Sequence, residues 1–121
     1  MESENISKTI LDNGLTILTA NMPTSQSVSI CLFAKVGSRY ENTENSGISH
    51  FVEHMLFKGT ADMPDPSDIN ELIESGGGVL NASTEYEVTS YWCRVALPYF
   101  RESLQLIIDL LRNSLLESED I

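Results

Sequence analysis

The chain has 121 residues, 41% of them hydrophobic, enough for one core and too few for two domains. Eighteen acidic against seven basic side chains give a formal charge of −11, a field that repels phosphate backbones and anionic lipid and argues against nucleic acid or a membrane as partner. No apolar run is long enough to span a bilayer. The start, Met1-Glu2-Ser3-Glu4-Asn5, lacks the basic flank and apolar stretch of a secretory leader and the arginines of a transit peptide. The expectation is a cytoplasmic protein, or alternatively a mature organellar matrix protein whose leader has been removed. Cys31 and Cys93 lie in separate strand-like runs, a spacing that suits a reduced compartment better than a disulfide framework.

In chain order, residues 8–11 and 15–19 read as two short strands around Asp12-Asn13-Gly14, because Asn-Gly favours the positive φ values of tight hairpins. After a loop at Met22-Pro23, residues 27–36 alternate, with Val28, Ile30, Leu32, Ala34 and Val36 on one face of a half-buried strand. A polar stretch then leads into a helix that Asn45 or Ser46 can cap and that Lys58-Gly59 can close. On it, Ile48, Phe51, Val52, Met55 and Leu56 form the apolar stripe of a core-facing helix. Past the loop Met63-Pro64-Asp65-Pro66, Asp65 or Ser67 can cap a short helix carrying Ile69, Leu72 and Ile73. Gly76-Gly77-Gly78 ends it as a turn, since the run lacks the context of a phosphate loop. Residues 79–83 and 87–96 read as strands. Pro98 opens a last helix with Phe100, Leu104, Ile107, Ile108 and Leu111 as its buried stripe. The pattern is an α+β fold, a mixed but mainly antiparallel sheet packed against helices.

Both histidines of the chain fall in one run, His50-Phe51-Val52-Glu53-His54, which reads H-x-x-E-H, a zinc-hydrolase signature. Zinc needs neutral nitrogen donors converging on one point, and helix positions four apart stack one above the other. By phase, His50, Glu53 and His54 lie opposite the apolar stripe. The glutamate stands beside the metal, where a base is needed.

Three separate runs, in order, then resemble one family. Gly37-Ser38-Arg39-Tyr40-Glu41, the stretch from Gly47 through the histidine motif to Thr60, and Asn81-Ala82-Ser83-Thr84 are similar to the pitrilysin, insulinase and mitochondrial-processing-peptidase family of zinc metallopeptidases. The resemblance implies that His50 and His54 are zinc ligands. It makes Glu53 the general base that takes a proton from the water attacking a peptide carbonyl. Asn81 and Ala82 match the segment that pairs with an extended substrate as an added strand. Phe57, on the motif side by phase, lines a substrate pocket or is an ordinary packing aromatic.

The same resemblance places a third ligand, a glutamate, roughly seventy-five residues beyond the second histidine. Only 67 residues follow His54. The expectation is therefore that residues 1–121 are the N-terminal part of one peptidase domain, ending before that ligand, inactive alone and exposing apolar surface. Glu117, Glu119 and Asp120 are the only late acidic candidates, and using one would need a shifted helical register. Family members enclose a peptide or unfolded protein substrate between facing domains, within one long chain or across a homo- or heterodimer. Two alternatives stand beside this: a noncatalytic partner subunit, and a different H-x-x-E-H enzyme with Cys93 as third ligand.

Overall fold

The computed structural model describes residues 5–121; the leader reading rests on residues 1–5, of which the first four lie outside them. Two strands, β1 (Ile6–Ile10) and β2 (Thr16–Ala20), form an antiparallel hairpin pairing Ile6 with Ala20 and Ile10 with Thr16. Next come β3 (Ser27–Ala34), the motif helix α1 (Ile48–Leu56) and α2 (Pro66–Ser75). The order closes with β4 (Val79–Thr84), β5 (Thr89–Ala96) and α3 (Phe100–Arg112). The main sheet has the order β3-β5-β4 and both pairings are antiparallel, so the expected α+β class holds.

The hairpin loop differs from the expected tight turn. Leu11 accepts from the Gly14 amide and donates to the Leu15 carbonyl, and Gly14 alone is left-handed, at φ 88°. Asn13 instead accepts from the Leu15 amide through Oδ1 at 3.0 Å. This is a type I turn closed by a left-handed glycine, which needs one positive φ rather than two.

In β3 the expected alternation is present: Val28, Ile30, Leu32 and Ala34 are half-buried while their neighbours are exposed. Val36 drops out of that face, because the chain folds back with the Val36 amide on the Ala34 carbonyl at 2.8 Å. The core is built on the central strand. Cys93 and Val95 of β5 meet Ile69 and Ile73 of α2 and Leu106, Ile107 and Leu110 of α3.

Two buried faces are shifted from expectation. On α3 the buried residues are Ser103, Leu106, Ile107, Asp109 and Leu110, whereas Phe100 and Ile108 are 42% and 41% exposed. Apolar residues cover both flanks of this helix, and the sheet takes the flank that also holds two polar side chains, which hydropathy alone cannot favour. On α1 only the C-terminal part of the stripe, Met55 and Leu56, is buried; Ile48, Phe51 and Val52 remain exposed.

α2 follows its sequence signals. Asp65 Oδ1 accepts from the Ser67 amide at 2.8 Å and Pro66 is the first helical residue. At the other end Gly77 is left-handed and the Gly78 amide returns to the Ile73 carbonyl. Gly78 also lies against β5, where a Cβ would stand 2.5 Å from the Arg94 carbonyl oxygen. The glycine run is a helix stop and a close backbone crossing.

The end of α3 is spliced to the end of α1. Ser114 Oγ donates to the carbonyls of Leu56 and Leu110, the Leu115 amide donates to Gly59, and the Ala61 amide donates to Asn113.

Candidate metal centre

The motif helix is entered without the expected cap. Gly47 precedes it in the left-handed region at φ 87° and no adjacent side chain caps the turn. Asn45 is engaged elsewhere, its Oδ1 accepting from the Asn42 amide while Asn42 Oδ1 accepts from Glu44 and Asn45. The cap is Glu41, whose two oxygens accept from the Gly47 amide at 2.6 Å and the Ser49 amide at 2.9 Å. A carboxylate here satisfies free amides and faces the positive end of the helix dipole. The bonds from Gly47 and Ser49 hold the Glu41 carboxyl below its ordinary range.

Beginning in this same turn, His50 and His54 project from one flank. Their ring centroids are 4.7 Å apart and their Nε2 atoms 2.9 Å apart. Both rings are exposed to solvent. Glu53 shares the flank, and the three donor atoms all lie within 4.8 Å of one another. Two nitrogens coordinated tetrahedrally to zinc at ~2.0–2.1 Å stand about 3.3 Å apart, so a small rotation of either ring suits one ion. The donor set fits zinc: borderline nitrogens with a carboxylate alongside.

Glu53 is only 9% exposed. Its Oε2 accepts a hydrogen bond from the Thr84 hydroxyl at the end of β4. Tyr91 of β5 is close by: burial first, and the Glu53 charge second, push its phenol up. An open cleft of about 530 Å³ lies beside the cluster, lined by His50, Glu53, Ala82, Thr84 and Tyr86 among others.

One wall is the segment that follows β3. Gly37 presses on the Glu85 and Tyr86 carbonyls with no room for a Cβ, and the Arg39 amide donates to the Tyr86 carbonyl at 2.8 Å. Arg39 also pairs with Glu87. Both partners are more than half exposed, so the backbone contact rather than the ion pair fixes this wall.

Ala82 and Asn81 occupy β4, which among the described residues pairs only with β5 and leaves its other edge open. Asn81 is exposed and its Oδ1 accepts from the Ala82 amide at 2.8 Å. Phe57 sits against the core cluster with its ring 6.3 Å from that of Tyr91. Cys93 is fully buried in that same core. Glu117, Glu119 and Asp120 are exposed, and none joins the histidine cluster, the only group of three such donors among the described residues.

Three contributors carry no individual role in the sequence reading: Glu41, Thr84 and Tyr91. Strand parity offered a signal for Thr84, since Leu80, Ala82 and Thr84 alternate toward the same face of β4. Nothing local marks Glu41 as a cap eight residues before Ser49.

Comparison with known proteins identifies the family. Residues 16–121 match the family profile described as Insulinase (Peptidase family M16). A protein of Rickettsia felis described as an uncharacterized zinc protease is 48% identical over 120 residues, covering 99% of this chain and 28% of its own length. The mitochondrial-processing peptidase subunit beta of Dictyostelium discoideum is 37% identical over 110 residues, covering 91% of this chain and 23% of its own. Among solved structures, a protease from Helicobacter pylori superposes with a TM-score of 0.88 at 28% identity, over 95% of this chain and 28% of that one. The chain thus spans about a quarter of the length of these relatives. With the profile matched from the second hairpin strand to the last residue, over a fold and a motif helix of this kind, the chain belongs to the insulinase family, peptidase family M16.

Proposed function

We propose that this chain carries the first two metal ligands and the general base of a zinc-dependent metalloendopeptidase. The observation that carries the reading is the convergence of His50, Glu53 and His54 within 4.8 Å on one helical flank. Relatives described as zinc proteases support the choice of metal. Bound by the two imidazoles, zinc supplies the Lewis acidity that makes water nucleophilic near neutral pH.

The chain's own groups do the rest. Glu53 keeps one oxygen free of Thr84, and that oxygen accepts the proton of the attacking water and passes it to the leaving amine. The open edge of β4 at Asn81 and Ala82 aligns a peptide or unfolded protein segment by main-chain pairing. Phe57 contributes by packing behind the site against Tyr91, in keeping with its place on the core. We take residues 1–121 as the N-terminal part of a peptidase domain, with the remaining ligand and facing wall supplied by protein outside them, in one chain or in a homo- or heterodimer.

Two measurements test this. Zinc titration calorimetry of the chain shows binding that His50→Ala and His54→Ala each abolish; binding that survives both substitutions refutes the ligand assignment. Joined to the remainder of the Rickettsia felis relative in place of its matching segment, the chain supports zinc-dependent peptide hydrolysis that Glu53→Gln eliminates. Unchanged hydrolysis in that variant refutes the base.

A further inference from the structure

A glutamate side chain has three rotatable bonds, and Glu53, a residue only 9% exposed, keeps its carboxylate in place at low cost only if something donates to it. Glu53 has no cation for this: the only ion pair among the described residues is that of Arg39 with Glu87. The imidazoles of His50 and His54 face each other. What holds Glu53 is the Thr84 hydroxyl, reaching across from β4 to Oε2.

Thr84 is itself well fixed. It is β-branched, so its χ1 is stiff, and it stands opposite Thr89, whose own hydroxyl is anchored on the Val36 carbonyl at 3.1 Å. Thr84 also shares the inward face of β4 with Ala82, two residues away. The strand whose outer edge is open to an incoming peptide therefore carries, on its inner face, the donor that aims the carboxylate.

We infer that Thr84 is a positioning residue: its hydroxyl sets the orientation of the Glu53 carboxylate and ties that group to the substrate-pairing strand. The inference rests on reading Glu53 as the base, but its test does not require turnover. In the 121-residue chain labelled with ¹³C at glutamate Cδ, the Glu53 signal is identified by its loss in Glu53→Gln.

Thr84→Val keeps the shape and removes the hydroxyl; Thr84→Ser keeps the hydroxyl and removes the methyl. The Glu53 signal shifts in Thr84→Val and stays in place in Thr84→Ser. The reverse order, with Ser moving the signal and Val silent, would mean that Thr84 only packs, and would overturn the inference. If Val disturbs the fold, Thr84→Ala against Thr84→Ser makes the same comparison, and equal displacement by both overturns it. A peptidase that stays active as Glu53→Gln would instead remove the base assignment and leave the hydrogen bond standing.

Discussion

Ser103 is 1% exposed on the sheet-facing side of α3, and its hydroxyl is the one buried side-chain oxygen or nitrogen among the described residues that lacks a partner. Replacing it with alanine removes an unpaired polar group whose burial costs about 1–3 kcal/mol. Alanine also improves helix propensity by roughly 0.5 kcal/mol. Against this, the missing oxygen leaves a void of order 10–15 Å³, worth about 0.3 kcal/mol. The net expectation is a gain of ~1–3 kcal/mol for Ser103→Ala. In urea, with a slope of ~1–1.5 kcal/mol/M for a chain of this size, the midpoint moves up by about 1–2 M at unchanged slope. An unchanged or lower midpoint would refute the reasoning, because it would mean the hydroxyl forms a bond that offsets its burial.

Four other expectations follow from the geometry. Zinc at a hundredfold excess over its dissociation constant raises unfolding stability by ~2.7 kcal/mol, and thermal melts of His54→Ala lose that increment. The folded-state carboxyl of Glu41 lies below its ordinary 4.5, so its bonds to Gly47 and Ser49 stabilise the fold above that pH and cease to do so as pH falls through the lowered value. Denaturation of wild type and Glu41→Gln should accordingly differ most above pH 4.5 and converge below it. Gly78→Ala forces a Cβ to within 2.5 Å of the Arg94 carbonyl and 2.6 Å of Val95 Cγ1, costing at least ~2 kcal/mol in chemical denaturation. In Asn81→Ala the Ala82 amide loses its acceptor, and its hydrogen exchange should accelerate while amides of β5 keep their rates.

The elements most legible in the sequence were those governed by short-range rules. The alternation in β3, the Asp65-Pro66 start of α2 and the glycine stop after it all reappear, because each depends on neighbours within a few residues. The histidine cluster was legible for the same reason, as three positions on adjacent turns of one helix must share a flank. What depended on distant partners was not. The α1 stripe implied that Ile48, Phe51 and Val52 are core, yet the helix meets β4 and the core chiefly through its Glu53 and Met55–Leu56 end. The α3 face was displaced because burial of Ser103 and Asp109 is decided by the sheet opposite them. The Thr84 bond to Glu53 links positions 31 residues apart, a separation at which no periodicity applies.

The tether from Ser114 to Leu56 bears on when the imidazole pair comes into being. A nine-residue helix is too short to persist unaided in water, and one of the groups steadying its last turn lies 58 positions downstream. During synthesis, the last turn of the motif helix lacks the Ser114 contact until the segment after α3 has emerged. A divalent ion meeting the nascent chain earlier finds two independent weak donors. On the proposed ligand assignment, loading would belong to the finished fold, and the strength of ion binding would report on the integrity of a distant packing layer.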